Sequence, residues 1–154
     1  VIYPSKEKYD SSRKQPFIAY FDRLKNYLLN GELLFLVVGY SFSDQHINEI
    51  IFNALRQNKR LFCIVFCFQD AEVERLHKLA SSYLNLNAFG PTKAVVNGSL
   101  SEWEFDVSVV GATEKWELYF DDAAKKLKLG DFNELVKFLI ASSGKIDPAV
   151  VLKP

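Results

Sequence analysis

A run of six apolar residues at positions 33–38 constrains the fold of this chain more than any other feature. The run reads LLFLVV and is followed directly by Gly39, Tyr40 and Ser41, after which Ser43 or Asp44 opens an amphipathic segment. An unbroken apolar run of this length is typical of a strand buried on both faces of a parallel sheet. In open α/β sheets, ligands bind beyond the carboxyl ends of such strands. The stretch therefore predicts a strand that presents its end to a ligand.

Helical and strand-like patterns alternate through the first half of the chain. Apolar residues at helical spacing predict a helix over residues 16–28, begun by Pro16 after a polar surface loop at 5–15. A second apolar run predicts a strand over 60–68, and Asp70 is expected to cap a helix that continues to about residue 84. Short connections between these segments favour right-handed βαβ units, and therefore an α/β fold with a parallel sheet.

The second half of the chain is less regular. Short strands are expected within residues 93–97, 104–110, 115–120 and 125–129, separated by Gly-Pro and Asn-Gly turn signals. Asp131 is expected to cap a last helix, with Glu134 at the reciprocal capping-box position. Residues 143–154 carry Gly144 and Pro148 and are predicted to be a tail or linker.

Composition narrows the classes of function. With 154 residues and zero net charge, the chain fits one domain with no strong field to attract nucleic acid or an acidic membrane surface. Apolar stretches are too short to span a membrane. Cys63 and Cys67 would lie on one face of a strand about 13 Å apart, too far for a disulfide. Free thiols suit a reducing cytoplasm, and the absence of further cysteines argues against a zinc site.

Two readings of the turn after the first strand stay open from the residues alone. Gly39 would let a ribose or phosphate approach the backbone, Ser41 would add a hydroxyl, and the following helix would add its positive end. The alternative is a turn that only joins strand to helix. His46 has two interpretations, either a functional residue (a base, a metal ligand or a ribose contact) or a residue at the rim of the site. His77 is expected to be a solvated side chain. A catalytic triad of Ser41, Asp44 and His46 is excluded by their crowding into one turn.

Four segments together resemble the sirtuin-like family, and specifically its bacterial-type NAD-consuming branch. They are VIYPSKEKY at the start, the predicted helix from Pro16 to Leu28, LFLVVGYSFSDQHINEII around the first strand, and KLKLGDFNELVKFL near the end. Their order and spacing agree with the family over residues 1–140. The GYSFSD motif with its flanks carries most of this resemblance, and the Gly-Asp-Phe end supports it.

The resemblance implies a Rossmann-like domain that binds NAD, as its substrate, across the strand ends. Gly39, Tyr40 and Ser41 would then line the ribose and phosphates. Phe68 and Gln69 would approach the adenosine ribose, although the usual asparagine of the family is missing there. Asp131 and Phe132 would approach the adenine.

The family's glycine-rich phosphate turn, its Asn–Asp pair and its catalytic histidine do not occur in this chain and would precede Val1. Residues 1–142 are therefore interpreted as the C-terminal part of the NAD-binding domain, and no catalytic residue is assigned. The expected activity of the parent protein is cleavage of the nicotinamide–ribose bond, as an NAD hydrolase that acts in antiviral defence. Alternatives are a protein deacylase and a non-catalytic nucleotide-sensing or oligomerising module. The expected partner is a missing N-terminal segment or a second copy, because an incomplete sheet exposes an edge.

Overall fold

The computed structural model describes residues 6–104 and 116–143, with side chains described from residue 18 onward. Four α-helices lie in this part of the chain, and seven strands accompany them. In chain order the elements are α1 (Lys6–Leu29), β1 (Leu33–Val38), α2 (Gln45–Gln57), β2 (Leu61–Phe66), α3 (Asp70–Ala80), β3 (Leu86–Phe89), β4 (Lys93–Val96), β5 (Ser99–Glu102), a 3₁₀ turn (Trp116–Leu118), β6 (Phe120–Asp121), β7 (Lys126–Leu127) and α4 (Phe132–Ser142).

Five strands form one sheet in the order β1-β2-β3-β4-β5. The first three are parallel, while β4 and β5 turn back antiparallel. Val38 pairs with Phe66, and Phe66 pairs with Phe89, so the carboxyl ends of the three parallel strands lie side by side. This confirms a Rossmann-like α/β fold, with an antiparallel extension that makes the sheet mixed. The pair β6-β7 forms a separate small sheet.

The core lies between the main sheet and the helices. Consecutive parallel strands that adjoin in order 1-2-3 and cross over right-handedly place α2 and α3 on the same face. Side chains that alternate along each strand point into this layer, including Val37, Cys63 and Val65, and they cluster with Leu55 and Val73 of the helices. Both cysteines are buried and free, as expected.

The opposite face of β1 and β2 is apolar and uncovered in the described part of the chain. Leu34 is 57% exposed, Leu36 37% and Phe62 38%. In addition, β1 pairs only with β2 among the described strands, so no described strand pairs with its other edge. A sheet face and a strand edge of this kind are surfaces that proteins normally cover.

The start of α1 differs from the prediction. The helix begins at Lys6 and continues through Pro16, so the expected loop at 5–15 is wrong for the residues described. The segment is rich in Lys, Glu, Arg and Gln, which have high helix propensity. Pro16 lacks one N–H group but does not end the helix. At the other end, Asn58 donates to the carbonyl oxygens of Leu28 and Gly31, at 3.0 Å each.

Two predictions about α3 are also wrong. The helix ends at Ala80 rather than near residue 84, and its N-cap is Gln69 rather than Asp70. The carboxylate of Asp70 instead accepts hydrogen bonds from the backbone of Thr92 and Lys93, at 2.9 Å each, and from the Thr92 hydroxyl at 2.8 Å. It therefore holds the turn between β3 and β4 against α3.

The second half of the described chain agrees with the prediction in part. The expected strand at 93–97 is confirmed as β4, and 125–129 contains the two-residue β7, whereas 115–120 contains a 3₁₀ turn and the start of β6. Residues 105–110 of another expected strand and residues 144–154 of the tail lie outside the described residues. Asp131 caps α4 as predicted, but Glu134 bonds Lys128 and Lys137 rather than completing a capping box.

His77 is the last of these differences. The ring was expected to be solvated, yet it is half-buried and its Nε2 lies 3.1 Å from the carbonyl oxygen of Gly98, in the turn between β4 and β5.

Candidate functional site

The turn after β1 is shaped by two residues with left-handed backbone conformation. Gly39 has a φ of 68° and Phe42 a φ of 53°. A Cβ added at Gly39 would meet no heavy atom within 4 Å, so the backbone there faces open space. The Phe42 side chain is buried and anchors the turn in the core. The turn thus exposes its backbone at Gly39 and Ser41 at the carboxyl edge of the sheet.

Tyr40 supports this turn from within. Its hydroxyl donates to Asn48 Oδ1 at 2.8 Å and lies 3.1 Å from the carbonyl oxygen of Asp44. Asn48 in turn donates to the carbonyl oxygen of Phe42 at 2.9 Å, and the rings of Tyr40 and Phe42 are 4.6 Å apart. Burial, with a smaller contribution from the Asp44 carboxylate, raises the pKa of Tyr40. Its side chain is therefore a neutral part of the scaffold.

Ser41 and Ser43 form the polar surface of the turn. Their hydroxyl oxygens lie 2.9 Å apart, and both residues are exposed. A hydroxyl can both donate and accept, so the pair can reorient toward a ribose hydroxyl or a phosphate oxygen.

The amino-terminal end of α2 is already capped. The carboxylate of Asp44 accepts from the backbone N–H groups of His46, at 2.9 Å, and of Ile47, at 3.1 Å. These are the donors that a phosphate at a helix end would use. The positive end of this helix is therefore occupied by a carboxylate of the same chain.

The end of β2 supplies the second part of the edge. The ring of Phe68 is 62% exposed, and Gln69 is exposed beside it. The backbone N–H groups of both residues donate to Glu72 Oε2, at 3.0 and 3.2 Å. The loop between β2 and α3 is thereby fixed, with the Phe68 ring directed away from the core.

Gly130 brings the start of α4 against this strand end. A Cβ at Gly130 would lie 2.2 Å from the carbonyl oxygen of Cys67 and 2.9 Å from the Cα of Phe68. Only glycine allows the two backbones to approach this closely. Phe68, Gly130 and Asp131 consequently line one cavity of about 290 Å³, while Phe132 next to it is 62% exposed.

Asp131 has a defined structural function at the same place. Its carboxylate accepts from the backbone N–H groups of Asn133, at 2.8 Å, and of Glu134, at 3.4 Å. A cap of this type leaves the second carboxylate oxygen able to accept a further hydrogen bond.

Arg75 belongs to this edge and was not found from the sequence. Its guanidinium group reaches from α3 and donates to the carbonyl oxygen of Ser41. Burial raises the pKa of the Cys67 thiol to about 12, and the nearby charge of Arg75 opposes that rise. Arg75 therefore lies between the ends of β1 and β2. In the sequence it is one of several charged residues on a helix, and nothing marks it as different.

His46 lies away from this edge. It lines a separate groove of about 650 Å³ between α1 and α2, together with Lys25, Glu49 and Gln57. Within the part of the chain that the structure describes, no group of three or more His, Cys, Asp or Glu side chains is arranged to hold a metal ion. None of the described helices is long and apolar enough to cross a membrane.

The carboxyl edge of the sheet thus includes the GYSFSD segment and the Gly-Asp-Phe turn, which were the two segments singled out in the sequence. A family model for the SIR2-like domain matches residues 1–86, which include the turn after β1 and the end of β2. The chain belongs to the SIR2-like domain family. SIR2-like domains in general bind NAD, and the Rossmann-like sheet agrees with that membership. Asp131 and Phe132 lie outside the matched residues. No curated protein matches the chain.

Proposed function

We propose that this chain is the NAD-binding portion of a sirtuin-like enzyme that cleaves the nicotinamide–ribose bond, with water as the acceptor. The observation that carries the proposal is the turn after β1, which opens its backbone at Gly39 and Ser41 within the residues matched to the SIR2-like domain. The proposal includes the bacterial-type NAD-consuming branch, to which GYSFSD is similar, with a role in antiviral defence in the cytoplasm.

The proposed ligand, NAD, contacts two groups of residues at the carboxyl edge of the sheet. Gly39, Tyr40 and Ser41 support the ribose and phosphates, with Tyr40 acting through the turn that it stabilises. Phe68 and Gln69 approach the adenosine ribose. Asp131 and Phe132 approach the adenine, where a carboxylate oxygen can accept from the amino group and an exposed ring can stack on the base.

The reaction would break the bond between C1′ of the ribose and the nicotinamide nitrogen. A water oxygen forms the new bond to C1′, and the products are nicotinamide, ADP-ribose and a proton. Among the described residues of the edge there is no histidine, and His46 lines the groove between α1 and α2. We therefore assign binding to this chain and the reacting groups to another segment of the enzyme.

The uncovered sheet face supports this division of the site. Leu34, Leu36 and Phe62 expose an apolar surface beside the unpaired edge of β1. We infer that residues 1–142 are the C-terminal part of the NAD-binding domain, that an N-terminal segment of the same domain covers this surface, and that residues 143–154 are a tail or linker. A second copy of the chain is the other occupant to be tested.

A non-catalytic nucleotide-sensing module is the second candidate. The described edge favours it, since it has no histidine and its carboxylates Asp44, Glu72 and Asp131 accept hydrogen bonds from backbone N–H groups. A protein deacylase is the third, and it differs from the hydrolase only in its acceptor.

The test is to incubate the full-length protein with NAD and to follow nicotinamide release by chromatography, with and without an acylated peptide. Release without peptide is expected. Release only with peptide would indicate a deacylase, whereas NAD binding without any release would indicate a sensor. Ser41→Ala should weaken NAD binding by about three- to tenfold without a change in melting temperature. Unchanged affinity would contradict the assignment of the turn.

A further inference from the structure

The turn after β1 has no positively charged side chain of its own that could bind a phosphate. Asp44 occupies the two exposed amides at the start of α2, and its carboxylate would repel a phosphate placed there. The hydroxyls of Ser41 and Ser43 are neutral and bond each other. A dinucleotide carries two negative charges on its diphosphate, which a cation from another element would stabilise at this edge.

Arg75 is the cation that reaches the turn. Its guanidinium donates to the carbonyl oxygen of Ser41, which leaves further N–H donors of the planar group for a ligand. The side chain is exposed, so a ligand can reach it without rearrangement of the core. Guanidinium groups bind phosphate oxygens through two parallel hydrogen bonds, which suits a diphosphate.

The acidic residues of α3 do not neutralise Arg75. Asp70 accepts from Thr92 and Lys93, Glu72 accepts from the backbone of the preceding loop, and Glu74 pairs with Lys93 at 2.6 Å. In the described part of the chain, no ion pair involves Arg75. Its charge is thus directed at the turn and not at a carboxylate.

We propose that Arg75 contacts the diphosphate of the bound dinucleotide and supplies its positive counter-charge, beside Gly39 and Ser41 of the turn. The proposal rests on the proposed function, because it takes the ligand to be NAD or its ADP-ribose moiety. It extends that function by assigning the diphosphate to a side chain of α3 instead of to the end of α2.

The test compares two ligands that carry a diphosphate, ADP-ribose and ADP, with one that lacks it, adenosine. Binding of ADP-ribose, ADP and adenosine to the full-length protein is measured by calorimetry at two salt concentrations. Arg75→Gln removes the charge, and Arg75→Lys restores it without the planar group. Arg56→Gln is the matched control, since Arg56 is an exposed arginine in the last turn of α2, bonded to Asn53 and located toward the amino end of β2 rather than the carboxyl ends of the strands.

Arg75→Gln should weaken ADP and ADP-ribose binding about tenfold or more, with adenosine binding unchanged and a smaller dependence on salt. Arg75→Lys should recover part of the loss, and Arg56→Gln should have no effect. Equal losses for ADP and adenosine would show that Arg75 only holds the turn, and would overturn the proposal. Unchanged ADP binding by Arg75→Gln would overturn it as well.

These outcomes distinguish a failure of the Arg75 assignment from a failure of the proposed NAD hydrolase function. If the wild-type protein binds none of the three ligands, both are wrong. If it binds ADP-ribose through Arg75 but releases no nicotinamide from NAD, the assignment of Arg75 stands and the hydrolase does not.

Discussion

At the scale of single residues, the edge depends on a few side chains whose contacts are specific. Tyr40 and Asn48 fix the turn after β1, and Gly130 permits the close approach of α4 to β2. Asp70 connects α3 to the turn before β4. The contacts of Gly130 and Asp70 each make a separate prediction.

Gly130→Ala should displace the start of α4. The added Cβ would meet the carbonyl oxygen of Cys67 at 2.2 Å, and a backbone atom cannot move aside as a side chain can. We expect a loss of about 1–3 kcal/mol in the free energy of unfolding. Gly31→Ala is the control, because Gly31 has a φ of 72° with open space around it. This substitution also costs about 1–2 kcal/mol, but as backbone strain at residue 31, away from α4. Hydrogen exchange within α4 should accelerate in Gly130→Ala alone, and equal exchange in both variants would contradict the contact.

Asp70 should make stability depend on pH in the acid range. Burial would raise the pKa of Asp70, but the hydrogen bonds from Thr92 and the backbone of Lys93 outweigh burial and lower the pKa below 3.8. The stabilisation by the carboxylate is therefore complete above pH 3.8 and is lost as the pH falls through the lower folded-state pKa.

Asp70→Asn should accordingly be less stable than the wild type by about 1–3 kcal/mol at pH 7, with a difference that shrinks below pH 3.8. Urea unfolding at pH 7 and pH 3 measures this. Asp22→Asn, at an exposed position of α1, should change stability by less than about 0.5 kcal/mol. A deficit in Asp70→Asn that stays constant between the two pH values would be inconsistent with an ionised Asp70.

At the scale of elements, the parallel strands β1 and β2 were predictable, whereas the start of α1 and both ends of α3 were not. The runs at 33–38 and 61–66 are unbroken and apolar, which a buried parallel strand requires. The strand β3 was missed because it has four residues and includes an asparagine. The end of α3 and the role of Asp70 depend on the β3–β4 turn, which is distant in sequence, so local capping rules pointed to the wrong contact.

The candidate site shows the same limit. The turn residues Gly39, Tyr40 and Ser41 and the cap Asp131 follow from local sequence signals, and the structure places them at the carboxyl edge, in two groups. Arg75 comes from a helix that packs there only after the sheet has formed. No local pattern could indicate that its guanidinium lies at Ser41.

Asn58 connects the end of α1 to the loop before β2. Its buried amide donates to two carbonyl oxygens at the end of α1, and its Oδ1 accepts from the backbone of Arg60 at 3.0 Å. Asn58→Ala should cost about 2–3 kcal/mol in unfolding free energy, because these buried groups lose their partner. Asn26→Ala, at an exposed position of α1, is the control and should be close to neutral. A loss below about 1 kcal/mol for Asn58→Ala would mean that water replaces the amide.

At the scale of the whole molecule, helices cover one face of the main sheet, whereas the β1–β2 part of the other face is bare in the described residues. The bare face adjoins the edge of β1 with which no described strand pairs, so exposed apolar side chains lie beside backbone groups that can hydrogen-bond. A surface of this kind is costly to expose to water, and it explains why we assign the reacting half of the site to a segment that packs there.

Leu34→Lys tests that assignment. If an N-terminal segment covers the face, the full-length variant should lose about 2–4 kcal/mol of stability, because a charge would be buried without a partner. The 154-residue chain alone should be unaffected, since Leu34 is 57% exposed in it. Thermal melting of the full-length protein and of the 154-residue chain, with light scattering to measure mass, distinguishes an N-terminal segment from a second copy on this face. A concentration-dependent dimer that Leu34→Lys dissociates would identify a second copy instead.

The central claim is that a dinucleotide lies across the carboxyl edge of the sheet. The crystal structure of the full-length protein with ADP-ribose tests it most directly. We predict the diphosphate within hydrogen-bonding distance of Ser41 and Arg75, with the adenine beside Phe68 and Asp131. Binding of ADP-ribose in the groove between α1 and α2, or on the bare face of β1 and β2, would contradict the claim.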